Sequence, residues 1–202
     1  MIDRIPRFIT AINDSKLDGF VLNPGPSLTY LTGLNFHISE RPIVLIISQT
    51  ALPVIVLPEL EAPKLQASSI LLESFTYKDD PTSWRKAFTQ AAEMASLSGR
   101  GVAVDENEFR LLELRLLEAS APGASFISLA AGLSNLRICK NEEELSYMRQ
   151  AAQIAERAFE AIQGSIRAGI TEKKLASELT MQLYRHGSDP ELPFQLHVSS
   201  GE

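Results

Sequence analysis

The chain has 202 residues and a net charge of −6, enough length for one large or two small packed domains and no Lys/Arg excess of the kind nucleic-acid binding requires. Its 45% hydrophobic and 22% charged content is that of a soluble globular protein and excludes a disordered one. A single cysteine, Cys139, rules out an internal disulfide framework, and no apolar run suits export or a bilayer; a cytoplasmic protein without membrane or nucleic-acid partners is expected.

Residues 3–17 place Ile5, Phe8, Ile9 and Ile12 at helical spacing and predict an amphipathic helix. Gly19-Phe-Val-Leu22 reads as a short buried strand, closed by the turn signal Asn23-Pro-Gly-Pro26. The β-branched runs from Pro42 to Ser48 and from Leu52 to Leu57 predict a hairpin, with Pro53 at an edge or a strand start. A short helix over 58–67 and a strand over 70–77 follow. Asp80-Pro81 starts a helix, because Asp supplies an N-cap oxygen and proline lacks only an N–H the first turn does not use. That helix runs through Trp84 and Phe88 towards Ala95. A strand over 101–105, a Leu-rich helix over 108–120 and a strand over 124–129 complete an α/β layer domain with a mixed sheet.

The pattern changes near residues 131–140. From Asn141 the apolar positions Leu145, Met148, Ala152, Ala155, Phe159, Ile162 and Ile166 alternate three and four apart, predicting a long helix with one apolar stripe. Asn141 with Glu144 offers a capping box, Gly169 ends the helical region, and Thr171 caps a second helix that finishes before Gly187. Pro193 to Gly201 reads as a single strand. A helix pair with one strand has little of its own to pack against, so the stripe is expected to cover a neighbour or to belong to an incomplete domain.

Little local chemistry is visible. His37, His186 and His197 are far apart, without the spacings that build a metal site. Ser199-Ser200-Gly201 is not a nucleophile elbow, Cys139 reads as a buried or half-buried inert thiol, and His186 sits at a helix end where the dipole favours it. The richest polar stretch is Leu31-Thr-Gly-Leu-Asn-Phe-His-Ile-Ser-Glu-Arg-Pro42. There His37, Glu40 and Arg41 crowd together before an apolar strand, with Tyr30 and Phe36 close by. A solvated loop with a local ion pair accounts for it as well as a binding role does.

Leu136-Arg-Ile-Cys-Lys-Asn-Glu-Glu-Glu-Leu-Ser-Tyr-Met-Arg-Gln-Ala-Ala152, then Ala168-Gly-Ile-Thr-Glu-Lys-Lys-Leu-Ala176, then Pro193-Phe-Gln-Leu-His-Val-Ser-Ser-Gly-Glu202 resemble the opening of the catalytic domain of the pita-bread metallopeptidases, prolidase, aminopeptidase P and creatinase. Tyr30-Leu-Thr-Gly33 and the Phe75 to Trp84 stretch look like the N-terminal domain of the same group. The resemblance implies a creatinase-type N-terminal domain over 1–131, a linker over 132–140, and the first helices and strand of an incomplete α+β pita-bread domain over 141–202. It implies a parent Xaa-Pro peptidase acting on short proline-containing peptides as a homodimer. In such a parent two divalent ions, manganese or cobalt, are held by two Asp, a His and two Glu that would lie downstream. No catalytic residue, metal ligand or cofactor is therefore expected within this chain, which is expected to be inactive alone. By the same likeness Tyr30, His37, Glu40 and Arg41 are candidates for gating substrate at the partner subunit's site. The alternatives are a non-catalytic pita-bread module that binds peptides or proteins, and a small-molecule-binding α/β domain, against which the unmatched stripe argues.

Overall fold

Alternating apolar residues build the centre of the first unit. Phe20, Leu22, Leu45, Ile47, Ile55 and Leu57 point to one face of a sheet, and Val21, Val44, Ile46, Val54, Val56, Val102 and Val104 to the other. The computed structural model describes residues 4–129, 135 and 137–200, and the chain divides into two units, Met1–Cys139 and Lys140–Glu202.

In the first unit the elements run α1 (Ile5–Asp14), β1 (Gly19–Leu22), α2 (Pro26–Thr32), β2 (Val44–Ser48), β3 (Val54–Pro58), a 3-10 helix (Glu59–Ala67), β4 (Glu73–Tyr77), α3 (Pro81–Met94), β5 (Gly101–Val104), α4 (Leu111–Ser120) and β6 (Ser125–Ser128). The strands form one six-stranded sheet in the order β4-β3-β2-β1-β5-β6. β2 pairs antiparallel with both β1 and β3, while every other pairing is parallel, so β2 alone runs against the rest. The mixed sheet read from the adjacent runs is the one observed. β1, β2 and β3 are buried throughout, as a sheet covered on both faces requires. Phe8 and Ile12 of α1 with Leu28 and Leu31 of α2 cover one face; Ala87, Phe88 and Ala91 of α3 with Leu117 of α4 cover the other. Fully burying a side chain such as Phe20 or Phe88 contributes roughly 1.5–3 kcal/mol.

Several boundaries differ from the sequence reading. α1 stops at Asp14 because Lys16 turns left-handed at φ 57° and the Leu17 N–H returns to the Ile12 carbonyl. Asn23-Pro-Gly-Pro26 is followed by a helix the sequence reading lacked. Pro26 occupies its first turn, and Gly33 closes it at φ 72°. Pro53 stands directly before β3, the strand start that was one of its two readings; the edge reading fails, since β3 has neighbours on both sides. α4 begins only at Leu111, because Asp105 turns the chain first: its side chain accepts from the Asn107 N–H and its carbonyl from Glu108 and Phe109. The Asp80 cap is as read, its carboxylate taking the Thr82 N–H at 3.0 Å.

The second unit consists of α5 (Glu142–Ile162), a 3-10 turn over 163–165, α6 (Glu172–Arg185) and an extended tail. Both arms of the Asn141–Glu144 capping box are present at 2.9 Å, and the Thr171 hydroxyl takes the Lys174 N–H. The strand expected over Pro193–Gly201 is not formed among the described residues. No neighbouring strand takes its backbone; instead Glu172 of α6 accepts the Ser200 N–H at 2.7 Å. Cys139 is exposed, not buried, and Ile138 beside it is exposed too. The linker expected over 132–140 falls partly outside the described residues.

Gly19 is where β1 admits no side chain: a Cβ there would stand 2.6 Å from the Ile47 carbonyl oxygen, a backbone atom of the paired strand. Gly19→Ala is expected to destabilise the first unit by about 1–3 kcal/mol, read as a lowered denaturant midpoint.

Candidate functional site

The carboxyl ends of β1, β3, β4, β5 and β6 gather on one edge of the sheet, and β2 starts from that same edge. In open α/β sheets this edge, where the strand order reverses, is the usual place for ligands. Here the reversal lies between β1 and β5, and the crevice is filled from within. Asn23, just past β1 and 4% exposed, donates its Nδ2 to the Ile43 carbonyl at 3.0 Å and accepts the Arg110 N–H at 2.9 Å.

What this edge presents is the segment from Gly33 to Ile43, which has no regular secondary structure. Five of its carbonyls are nevertheless each taken by a side-chain donor. The Thr29 hydroxyl donates to the Leu34 carbonyl at 3.0 Å, Lys64 Nζ to Asn35 at 3.5 Å, Tyr77 Oη to Pro42 at 2.7 Å and Asn23 to Ile43. Arg110 Nη1 donates to the Ser39 carbonyl, and the Ser39 hydroxyl accepts the Arg41 N–H at 3.2 Å. Leu34, Phe36 and Ile43 point inward and are buried, so apolar anchors and polar ties hold the same stretch.

The four residues singled out from the sequence sit differently in this frame. His37 and Glu40 are exposed on the loop. Arg41 is partly exposed and makes a paired contact with Asp79, Nε to Oδ1 and Nη2 to Oδ2, both 2.8 Å; a third contact reaches Glu40 at 3.1 Å. Tyr30 lies at the loop's root in α2. Its ring packs 6.2 Å from that of Phe8 and under the Arg4 guanidinium at 4.2 Å, with its hydroxyl buried and without a hydrogen-bond partner among the described residues.

Electrostatics follow these contacts. The hydrogen bonds and charge of Arg41 hold the Asp79 carboxyl below the ordinary aspartate range, and Asp79 in turn makes the Arg41 guanidinium harder to deprotonate. Burial, reinforced by the Glu113 charge, pushes the Tyr77 phenol up, with Arg41 and Arg110 opposing. Tyr77 is therefore a neutral donor to Pro42 throughout the physiological range.

Sequence reasoning missed Asn23, Tyr77, Asp79, Arg110 and Glu113 as parts of this site. Most gave no local signal, because their partners lie tens of residues away. Glu113 gave one: it stands four residues before Leu117 on the buried stripe of α4, and an acid on an apolar stripe needs a partner.

Among the described residues no three His, Cys, Asp or Glu groups gather as a metal ion would require. The second unit carries a different feature, an apolar groove of about 960 Å³ lined by Tyr147, Ile154 and Phe159 of α5, Leu179 and Leu183 of α6, and Phe194 of the tail. The predicted stripe on α5 is largely uncovered; Met148 and Phe159 are more than half exposed.

Asn23→Ala would orphan a buried carbonyl and a part-buried N–H together, and an expected loss of about 1–3 kcal/mol is measurable by thermal or denaturant unfolding. The Asp79 contact has a pH signature. Its folded pKa is depressed, so its contribution is present above about pH 4 and is lost as pH falls through the folded value. A carboxyl-carbon titration should place the Asp79 midpoint below an ordinary aspartate, and Arg41→Ala should return it to about pH 4.

Comparison with known proteins agrees with this architecture. The description Creatinase/Prolidase N-terminal domain matches residues 4–139, and Metallopeptidase family M24 matches residues 146–202. An Xaa-Pro dipeptidase of Lactobacillus helveticus is 26% identical over 174 residues, which are 85% of this chain and 47% of that protein. A crystal structure of prolidase from Thermococcus sibiricus shares the fold with a TM-score of 0.81 at 21% identity, over 96% of this chain and 53% of that one. The creatinase/prolidase N-terminal domain of an X-Pro dipeptidase from Streptococcus pyogenes aligns over 97% of its length with 65% of this chain, at a TM-score of 0.56 and 19% identity. The chain spans about half the length of the curated relatives it matches. With residues 4–139 accounted for by the first match and the rest beginning the second, the chain belongs to the creatinase/prolidase family of M24-type peptidases.

Proposed function

We propose that this chain serves as the amino-terminal part of an Xaa-Pro dipeptidase, hydrolysing the peptide bond before proline in short peptides. In this reading residues 1–131 form the creatinase-type domain, residues 132–140 connect it, and residues 141–202 open the peptidase domain. The observation that carries the reading is the pinned loop: an irregular segment with five of its carbonyls individually tied displays His37 and Glu40 at the edge of a rigid sheet. A recognition group held in advance loses little freedom on binding, which is what a surface that screens short substrates requires.

The charges suggest what the loop would meet. Arg41 is occupied by Asp79 and Glu40, so the loop offers a peptide the Glu40 carboxylate, 75% exposed, more readily than a free cation. A dipeptide's free ammonium is the complementary group. In a homodimer the loop would gate the partner subunit's site from this edge, with His37 beside Glu40, Arg41 keeping Glu40 in place and Tyr30 anchoring the root. The divalent ions that family members use, manganese or cobalt, would supply a polarised water for attack on the amide. The residues described here do not fit them as a ligand set, so no step in this chain runs through them.

The uncovered stripe of α5 and the groove beside α6 fit this reading, as surfaces on which the remainder of a peptidase domain packs. A non-catalytic module that binds peptides through the same loop is the other outcome. The test is hydrolysis of Ala-Pro and Gly-Pro by the natural gene product that contains this chain, with manganese and with a chelator, beside the 202 residues alone. Expected is turnover by the natural product, abolished by the chelator, and none by the 202 residues. Peptide binding without turnover by the natural product would leave the binding module.

A further inference from the structure

The loop has several holders, and they are not equivalent. Tyr77 and Asn23 fix its far root at Pro42 and Ile43, where β2 is about to begin. Thr29 and Lys64 act at its start, on Leu34 and Asn35. Two contacts from outside the loop bear on the Ser39–Arg41 stretch that carries Glu40. One is the Arg41–Asp79 pair, whose Asp79 side chain is 73% exposed; exposed pairs contribute little and are screened by salt. The other is Arg110.

Arg110 is fixed at both ends of its side chain. Its backbone N–H is held by Asn23, one residue before α4 starts. Its Nε lies 3.0 Å from both oxygens of Glu113, Nη2 donates to Glu113 Oε1, and Nη1 donates to the Ser39 carbonyl. Glu113 is fully buried in the first turn of α4. An aliphatic pair of the same volume would commonly serve stability as well as a buried ion pair does. It could not make the hydrogen bond to the Ser39 carbonyl by which the pair reaches the loop.

We propose that Arg110, held in place by Glu113, is the positioning residue for the Ser39–Arg41 segment, and that it sets where Glu40 is presented. Glu113 orients the guanidinium fork, the fork fixes the Ser39 carbonyl, and the Ser39 hydroxyl fixes the Arg41 N–H, with Glu40 between them. The consequence for substrate rests on the reading that this loop meets an Xaa-Pro peptide; the positioning itself does not.

Single replacement of Arg110 would strand the buried Glu113 charge and risk unfolding, so the informative variant is R110M/E113M, with R110K as the conservative one. Amide hydrogen exchange in the 202-residue chain is followed for 37–41, with 19–22 and 101–104 as internal controls of folding. Expected in R110M/E113M is exchange roughly tenfold faster at 37–41 and within about twofold of the parent in β1 and β5. Arg110→Lys, which offers one point charge where the fork serves two partners, should free the loop as well. Unchanged exchange at 37–41 in a folded R110M/E113M protein would overturn the proposal. In the natural gene product the same variant should raise KM for Ala-Pro about tenfold with kcat within about twofold. A freed loop with unchanged KM would uphold the positioning role and overturn instead the reading that the loop meets substrate.

Discussion

The segment joining α2 to β2 crosses the end of a sheet that is packed on both faces, and its backbone carbonyls must find donors there. Water reaches that edge only in part, and a buried carbonyl left unpaired costs about 1–3 kcal/mol. The solution is distributed. Thr29, Lys64, Tyr77, Arg110 and Asn23 come from different elements, and each donates to a different carbonyl of the loop. Because the donors sit in or beside the regular elements of the packed unit, the loop inherits their rigidity without being part of the sheet. The reversed strand β2 is what makes this necessary. It begins at the edge where its neighbours end, so the chain must run across that edge to reach it.

Magnitudes separate the ties that shape this edge from those that decorate it. The Arg41–Asp79 contact has the better-looking geometry, a parallel pair at 2.8 Å, yet it lies in solvent, where side-chain entropy and screening offset most of its attraction. The Arg110–Glu113 pair is desolvated at the acid end, so its members depend on each other far more strongly. Asn23 outweighs the exposed pair for a similar reason: it is neutral, but its partners are a buried carbonyl and a part-buried backbone N–H.

How much of this was legible in the sequence depended on the range of the interactions. The hairpin at Leu45 and Ile55, the Asp80 cap and the Asn141–Glu144 box rest on neighbours a few residues apart, and all could be read directly. The loop around His37 could be recognised as polar chemistry ahead of an apolar strand, but not as a pinned surface. Arg110 meets Ser39 across 71 residues and Asn23 meets Arg110 across 87, and no periodicity encodes such pairs. α2 was missed for another reason. Its signals, proline in the first turn and glycine just past the end, coincide with those of a turn, and Leu28 and Leu31 alone are too few to show a period. The terminal strand failed because β structure is a property of pairs: apolar alternation at Phe194 and Leu196 describes a segment able to be a strand, and it becomes one only beside another.

The second unit shows the same distinction from the opposite side. Its helices are specified locally, with a full capping box on α5 and a hydroxyl cap on α6, and they start where the sequence placed them, although α5 stops at Ile162, before the Ile166 that the stripe included. Their packing is not specified locally. α5 buries only Ala158 and Ile162 among its described residues, while Met148 and Phe159 face outward along the stripe that its periodicity announces. Capping contributes about 1 kcal/mol to a helix end, whereas the surface of one such aromatic side chain is worth roughly 1.5–3 kcal/mol when it is covered. The caps therefore fix where α5 begins, while a cover over its stripe, which stabilises more, decides how firmly the helix holds. The first unit needs no such cover for its core, because both faces of its sheet are already closed.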